Sequence, residues 1–214
     1  MTNEQKLARA RAIHAEDPTE ARRLRHEVAA GDVGVPWSNA RVDLASELQL
    51  QANSAGVIEL AEPVLAAPVE LVDPAARAVA GVLVCDAREI LDLEIDEALL
   101  ESSVTAASAA GQHYYAGAGL AQHARLLLFD HKDRVASKRR FAEAVAEYDR
   151  TESMFGGPGA LLRLATLEAE DGERDLALAH IAGALERLAR YPLAGTSGRI
   201  LREKLERLRG TLVP

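Results

Sequence analysis

The chain has 214 residues, of which 48% are hydrophobic and 27% charged, with a formal net charge of −8. This length can bury the core of one large or two small domains without disulfides or metals. Only 4% of the residues are aromatic, and Ala and Leu dominate the apolar set. Because sheet-forming residues are sparse, the composition predicts an all-α fold and argues against a β-sandwich or an α/β enzyme fold.

The charge is distributed unevenly between the two halves. Residues 1–110 contain 9 Lys and Arg against 19 Asp and Glu, a net charge of −10, whereas residues 111–214 contain 16 against 14, a net charge of +2. This polarity could attract a basic partner or bring two copies together head to tail. The alternative is that the charges only solvate helix faces.

The N-terminal segment has frequent charges and no apolar core of a secretory signal, and no stretch approaches the roughly 20 apolar residues of a membrane helix. We therefore expect a cytoplasmic protein without membrane partners.

Cys85 is the only cysteine, which excludes an intrachain disulfide, and no Cys/His spacing indicates zinc. Its apolar neighbours predict a buried, inert thiol.

The first two predicted helices are joined by a short connection that contains a stop and a start signal. The first helix spans Glu4–Ala15. Asp17 or Thr19 then caps the second helix, with Pro18 near its first turn, and this helix ends at Gly31.

The third and fourth helices follow a Gly- and Pro-containing loop. Ser38 or Asn39 is expected to cap the third helix, and Trp37 lies just before it, where an apolar residue can staple a helix start. The fourth helix begins at Ser54, and Pro63 should kink or shorten it because proline lacks a backbone donor.

The fifth helix opens at Asp73-Pro74 and contains the apolar run Ala78–Cys85, which predicts the most buried helix. A central strand is the competing interpretation of this run, but the periodic flanks favour a helix. The acidic stretch Asp92–Glu101 is interpreted as a solvated start of the sixth helix. A metal or acid/base site is the alternative, although no His completes a ligand set there.

The second half predicts helices over 112–130 and 139–155, a helix pair within Gly156–Pro192, and a terminal helix over 198–210. Gly156–Gly159 is interpreted as a turn between repeats. The terminal helix has an apolar stripe and a charged face, with Glu203 four residues before Arg207 in the order that favours an ion pair. The stripe is formed by Leu201, Leu205, Leu208 and Leu212.

The pair within Gly156–Pro192 carries small residues where two helices would touch. The first helix has a large apolar residue, then Leu and Ala; a Gly stands at the turn; the second helix has Ala, a large residue and Ala. The matching residues are Leu161, Leu164, Ala165, Gly172, Ala177, Ile181 and Ala184. This pattern resembles the tetratricopeptide repeat (TPR), a helix–turn–helix unit.

The resemblance departs from the family pattern at two positions and fades upstream. Glu168 stands where an aromatic is usual, and Pro192 comes about three residues later than expected. Residues 112–155 match in part, through Tyr114, Ala118, Ala121, Ala144 and Tyr148, and the region before them matches weakly.

The resemblance implies one helical-repeat domain over residues 1–214, folded as a right-handed α-solenoid of about five antiparallel helix pairs. Residues 1–110 would form an irregular acidic half, 111–192 a TPR-like half, and 193–214 an amphipathic capping helix. It also implies a concave face that binds a peptide or protein segment. The groove candidates by family register are Gln112, Tyr115, Gln122, His123, Leu162, Arg163, Thr166 and Glu170.

The sequence therefore predicts a non-enzymatic interaction module without cofactor, metal or catalytic residues. Self-assembly through the acidic half and a basic patch is a second hypothesis. The patch Lys138–Arg140 also suggests a nucleic-acid regulator, which the acidic composition disfavours. An enzyme would require His113, His123 and the Asp92–Glu101 acids to converge in space.

Overall fold

The computed structural model describes residues 1–151, 156–190 and 196–213, and over these ranges it is all-helical, without strands. A short 3₁₀ helix, Val69–Leu71, lies between α4 and α5. The eleven α-helices in these ranges are α1 Asn3–Ile13, α2 Pro18–Ala29, α3 Val35–Leu50, α4 Ser54–Ala66, α5 Pro74–Ile90, α6 Glu97–Ala109, α7 His113–Phe129, α8 Arg134–Tyr148, α9 Gly157–Glu170, α10 Arg174–Arg190 and α11 Thr196–Leu212.

The helices divide into two compact units, residues 1–112 and 113–214. Within each unit every helix packs against the next one in the chain, and α9 also contacts α11. The prediction of an all-α fold built from sequential helix pairs is confirmed, and the packing is consistent with a helical solenoid. A single domain and a right-handed superhelix stay predictions.

Acidic and amide side chains begin several helices by accepting hydrogen bonds from first-turn amides. The side chain of Asp17, rather than Thr19, caps α2 and accepts from the Glu20 amide at 3.0 Å. Asp73 caps α5 as predicted, with 2.8 Å between its carboxylate and the Ala75 nitrogen.

Several helices begin earlier than the sequence indicated, among them α8, which begins at Arg134 instead of residue 139. Two of them contain a proline in the first turn. α3 begins at Val35, so Trp37 and Ser38 lie inside the helix, and Ser38 donates its hydroxyl to the Val35 carbonyl. α9 begins at Gly157, inside the stretch interpreted as a turn. In both cases a proline in the first turn is compatible with the helix because the amide at that position needs no helical acceptor. α8 ends at Tyr148, so the prediction that the eighth helix continues over residues 149–151 is wrong. The rest of that predicted helix, residues 152–155, and Pro192 lie outside the described residues.

The prediction that α5 is the most buried helix is confirmed. Every residue of Ala78–Cys85 is buried, and this run is helical throughout. Gly81 allows a close crossing with α6, since a Cβ atom there would lie 1.9 Å from the Ser103 hydroxyl oxygen.

Pro63 lies within α4, and α3 supplies the hydrogen-bond donor that the proline lacks. The Glu59 carbonyl would normally accept from the amide at position 63, and instead accepts from Arg41 Nη2 at 2.8 Å. Arg41 Nε also donates to the Leu60 carbonyl at 2.8 Å. The Trp37 ring lies under the guanidinium, 5.2 Å from its centroid to Cζ. As the sequence indicated, Pro63 lies inside the helix, which continues for three residues beyond it to Ala66.

The C-terminal turn of α4 is held in a similar way from the other side. Arg77 of α5 donates to the carbonyls of Leu65 at 2.6 Å and Ala67 at 2.8 Å. The last carbonyls of a helix have no helical partner, and these arginine donors therefore complete the end of α4.

We predict that Arg41→Met lowers the free energy of unfolding by about 1 kcal/mol, because it leaves the Glu59 carbonyl without a donor and removes a second hydrogen bond to the Leu60 carbonyl. The loss should be smaller in a Pro63→Ala background, where residue 63 regains an amide for the Glu59 carbonyl. This coupling is measured by urea unfolding of the parent protein, Arg41→Met, Pro63→Ala and the double variant. Arg9→Met, at an exposed position of α1, is the control. An equal loss in both backgrounds would contradict the assignment.

The buried thiol predicted for Cys85 is confirmed. The side chain has no exposed surface and is unpaired. Burial raises the pKa of the Cys85 thiol from its usual 9.0 to about 11, and the nearby Asp96 carboxylate acts in the same direction.

We therefore expect Cys85 to react slowly with DTNB at pH 8 in the folded protein. At that pH a thiol with a pKa about two units above normal has roughly a hundredfold less thiolate, and burial also blocks access. Absorbance at 412 nm follows the reaction, and urea-unfolded protein is the positive control. Rapid stoichiometric labelling of folded protein would show that the thiol is accessible.

Candidate functional site

The α9–α10 pair has the packing that its small and large residues predicted. All of the helix-contact residues that carry the family resemblance in this pair are buried, and most belong to one apolar cluster. The cluster consists of Leu161, Ala165, Ala177, Ile181, Ala184, Leu188 and Leu205. Gly172 adopts φ +78° in the turn, a conformation that glycine tolerates best.

Glu168, which occupies the usual aromatic position, forms a polar contact between α9 and α10. Its side chain is buried, and Oε2 lies 2.7 Å from His180 Nδ1. A buried carboxylate is costly without a partner. The imidazole of His180 supplies that partner, so the departure from the family pattern is compensated within the same helix pair.

The α7–α8 pair shows a looser version of the same packing. Ala144 and Tyr148 are buried, as the partial match predicted, and the Tyr148 ring packs edge-on against Tyr114 at a centroid distance of 6.0 Å. A Cβ atom at Gly117 would lie 3.0 Å from the Tyr148 ring, so α7 approaches the ring closely there.

The apolar stripe predicted on the terminal helix is also confirmed. Leu205 is fully buried in the α9–α10 cluster, and Leu201, Leu208 and Leu212 pack against that cluster. The leucine face of α11 therefore covers an apolar face that α9 and α10 would otherwise expose.

An open cavity of about 630 Å³ lies between α9 and α11. This volume is within the range of ligand pockets. α9 contributes four lining residues near its middle, and α11 contributes six that extend over most of its length. The lining residues are Gly159, Leu162, Arg163, Thr166, Ile200, Leu201, Lys204, Arg207, Leu208 and Thr211.

The cavity combines an apolar surface with three cations. Arg163, Lys204 and Arg207 are exposed, and none of them forms an ion pair with a described residue. The lining contains no carboxylate. Its chemistry therefore suits a ligand that has both apolar and anionic groups.

The predicted ion pair between Glu203 and Arg207 does not form. Glu203 instead lies 3.9 Å from Arg199, one turn earlier in α11. Exposed ion pairs at this spacing stabilise a helix by only a few tenths of a kcal/mol. The glutamate can therefore pair with the arginine one turn before it or with the one after it. As a result, Arg207 contributes to the cavity a charge that no described residue pairs.

The structure brings three of the eight predicted groove residues to this cavity. Leu162, Arg163 and Thr166 line it, as the register of the first helix implied. Glu170 lies beyond it at the end of α9, where its carboxylate is 2.9 Å from Arg134 Nη2.

The four candidates around α7 do not line the cavity. Gln122 is fully buried, and its amide atoms have no hydrogen-bond partner in the described ranges, so it offers no surface to a partner. Tyr115 packs edge-on against Tyr114 at 5.3 Å between ring centroids. Gln112 and His123 are half-buried. The expectation of one continuous groove from these residues to α9 stays a prediction, with Gln122 removed from it.

Sequence reasoning missed the contribution of α11, which supplies six of the ten lining residues. One signal was present in the sequence. The segment 198–210 has five Lys and Arg against two Glu, so carboxylates on the same helix cannot pair with all of its cations.

The basic patch Lys138–Arg140 is compensated within the chain. Lys138 Nζ lies 2.8 Å from Asp171 and 2.6 Å from Glu173, while both arginines lie within 4 Å of Glu143. These contacts weaken the nucleic-acid hypothesis, because phosphate binding would have to displace existing partners.

His113, one of the residues that an enzyme or metal site would need, contacts a glutamate outside the acidic stretch Asp92–Glu101. His113 Nδ1 lies 2.8 Å from Glu147 Oε2. Among the residues with described positions, no group of three or more His, Cys, Asp or Glu side chains could hold a metal ion. The prediction that the chain is not an enzyme stays a prediction.

A second cavity, of about 580 Å³, lies in the first unit beside α2. Its lining includes Arg22, Arg23, His14, His26 and Glu47. The Glu47 carboxylate already binds Arg22, at 3.1 Å. This cavity therefore has internal charge compensation that the α9–α11 cavity lacks.

The fold has a detectable relative among solved structures. The crystal structure of BtubC (BKLC) from P. vanneervenii is similar to the chain with a TM-score of 0.52 and 11% sequence identity, covering 98% of this chain and 82% of that chain. At this identity the similarity concerns the fold alone. No protein-family model and no curated protein matches the sequence.

No helix in the described ranges combines the length and the apolar character that crossing a bilayer requires.

The ion pair between Lys138 and Asp171 leads to a pH prediction. Its hydrogen bond to Lys138 lowers the pKa of Asp171 below the usual 3.8, and the two carboxylates raise the pKa of Lys138 above the usual 10.5. The stabilisation is therefore present between about pH 4 and pH 10, and is lost as the pH falls through the lowered pKa of Asp171.

We expect Lys138→Met to lower the Tm slightly at pH 7, and this difference from the parent protein to shrink at pH 3 and in 1 M NaCl, because exposed pairs are screened. Thermal unfolding followed by circular dichroism measures it. Arg202→Met, an exposed cation without an ion-pair partner in the described ranges, is the control. A difference that persists undiminished in 1 M NaCl would mean that the lysine acts through packing rather than charge.

Proposed function

We propose that the chain is a TPR-like, non-enzymatic interaction module whose α9–α11 cavity binds an acidic and apolar segment of a polypeptide. The observation that carries this proposal is a set of three cations, Arg163, Lys204 and Arg207, that surround a leucine-lined surface and form no ion pair with any described residue. The predicted cytoplasmic location is part of the same proposal.

The shape of the cavity favours a chain segment over a compact small molecule. Its lining on α11 extends from Ile200 to Thr211, a distance of about 16 Å along the helix axis. An extended peptide of about five residues has the same length. Such a segment could place apolar side chains against the leucines and carboxylates toward the cations.

The two kinds of contact would have different roles. Burial of apolar side chains contributes about 25 cal/mol per Å² and would supply most of the affinity. The exposed cations would add a smaller, salt-dependent contribution and would select acidic segments over neutral or basic ones.

The TPR assignment itself draws support from several sources. The α9–α10 residues that match the family are buried at the helix contact, and Gly172 forms the turn. The similarity to a solved helical structure extends over nearly the whole chain. A peptide-binding surface on the first helix of a pair agrees with the lining residues on α9.

The proposal is tested by selecting ligands from a display library of random ten-residue peptides. We expect wild-type protein to enrich peptides that contain Asp or Glu together with Leu, Ile or Phe. Fluorescence anisotropy of an enriched peptide should give a dissociation constant that rises at least tenfold with Lys204→Glu/Arg207→Glu, and that also rises with salt.

Two further variants separate the cavity from its surroundings. Thr166→Trp should weaken binding by filling the cavity without changing its charge. Arg199→Glu/Arg202→Glu changes the charge of the same helix by the same amount at residues outside the cavity lining, and should have a much smaller effect. No enrichment, or binding that is unaffected by both cavity variants, would overturn the proposal.

A further inference from the structure

The connection between α5 and α6 in the first unit exposes large apolar side chains. Ile90 is 63% exposed, Leu91 42% and Leu93 50%. Exposed apolar residues in a cluster indicate an interaction surface more strongly than isolated ones. These three lie within four consecutive positions of one connection.

The loop is held in place by its own backbone and by Arg88. The Leu93 amide donates to the Arg88 carbonyl at 2.9 Å, and Arg88 Nη1 donates to the Glu94 carbonyl at 3.3 Å. Asp92 adopts φ +56°, a left-handed conformation that Asp tolerates better than most residues. The leucines are therefore displayed on a preorganised turn, which lowers the ordering cost of binding.

Two carboxylates alternate with the exposed leucines. Asp92 and Glu94 are exposed, and neither side chain forms an ion pair within the described ranges. The order Leu91, Asp92, Leu93, Glu94 thus has the acidic and apolar character that the α9–α11 cavity would bind. It also belongs to the half of the chain that carries a net charge of −10.

We propose that the α9–α11 cavity of one copy binds the Ile90–Glu94 loop of a second copy. The inference rests on the proposed function and names the occupant of that site. Leu91 and Leu93 pack against the leucines of the cavity, while Asp92 and Glu94 pair with its cations.

This contact joins different surfaces of the two copies, so it is heterologous. Each added copy leaves one loop and one cavity unoccupied, which produces chains that grow with concentration unless they close into a ring. A loop in one cavity buries less area than a standard stable interface. We therefore expect weak, reversible assembly that is strongest at low salt.

Sedimentation velocity across a hundredfold range of protein concentration tests the proposal. The wild type should change from monomer to larger species as concentration rises, and the assembly should weaken in 0.5 M NaCl. The loop variant Asp92→Lys/Glu94→Lys and the cavity variant Lys204→Glu/Arg207→Glu should each remain monomeric. Lysine is compatible with the backbone at position 92, since Lys132 adopts φ +58° in this chain.

Combining the charge reversals provides the decisive result. In each single-surface variant alone, the loop and the cavity carry charge of the same sign, so neither variant should assemble by itself. An equimolar mixture should assemble, because the loop of each variant is complementary in charge to the cavity of the other. A chain that carries all four substitutions has both charges exchanged and should assemble again. A mutant defect caused by misfolding would not be rescued in this way, and circular dichroism checks the fold of each variant.

Two controls define the contribution of the loop. Leu91→Ser/Leu93→Ser keeps the loop charges and should reduce assembly, whereas Glu16→Lys/Asp32→Lys changes the charge of the same half at exposed residues elsewhere and should leave it largely intact. Assembly that is unaffected by the loop variants would overturn the proposal.

The outcomes also separate this inference from the proposed function. If the wild type stays monomeric at every concentration but binds library peptides through Lys204 and Arg207, the self-association is wrong and the peptide-binding function stands. If it neither assembles nor binds peptides, both are wrong.

Discussion

The contact between Leu205 and the α9–α10 cluster is the interaction on which the candidate site depends. Leu205 is fully buried, and complete burial of a leucine contributes about 1.5–3 kcal/mol. This contact fixes α11 beside α9, and the cavity lies between these two helices. The same leucine face therefore both covers the end of the core and forms one wall of the site. A helix that serves only as a cap would bury its apolar stripe fully, whereas Leu201, Leu208 and Leu212 of α11 are only half-buried.

The cations of this chain fall into two groups with different roles. Arg41 and Arg77 donate to backbone carbonyls of α4, and Arg134 donates to the Leu167 carbonyl at 2.6 Å. Lys138 is held by carboxylates. These side chains complete the fold and carry no obvious recognition role. Arg163, Lys204 and Arg207 have no such partners in the described ranges, which is why the candidate site lies at α9 and α11 rather than at the denser basic patch.

Local sequence signals predicted most of the fold. Helical periodicity and capping residues identified the helices, and the apolar run Ala78–Cys85 identified the most buried one. The starts of α3 and α9 were wrong because glycine and proline were interpreted as loop residues, whereas proline in a first turn costs a helix nothing.

The candidate site was less accessible from sequence, since it depends on contacts between distant residues. Register on α9 predicted Leu162, Arg163 and Thr166 as groove residues, and all three line the cavity, while their binding of a partner stays a prediction. The register could not identify the wall supplied by α11, because no local pattern specifies which neighbour the cations of a terminal helix will face. Gln122 failed for a related reason: a polar residue at a register position was expected to face solvent, but tertiary packing buries it completely.

The two arginines that flank α4 have a mechanical consequence for the first unit. Arg41 of α3 donates hydrogen bonds to carbonyls of α4 around Pro63, and Arg77 of α5 donates hydrogen bonds to carbonyls at the last turn of α4. Sliding α4 along either neighbour would break donor contacts to carbonyls that have no alternative helical partner. A proline inside a helix ordinarily makes the helix flexible because one backbone hydrogen bond is missing. Here hydrogen bonds from the neighbouring helices stabilise α4 around Pro63. As a result, α3, α4 and α5 form a three-helix segment that resists sliding of one helix along another.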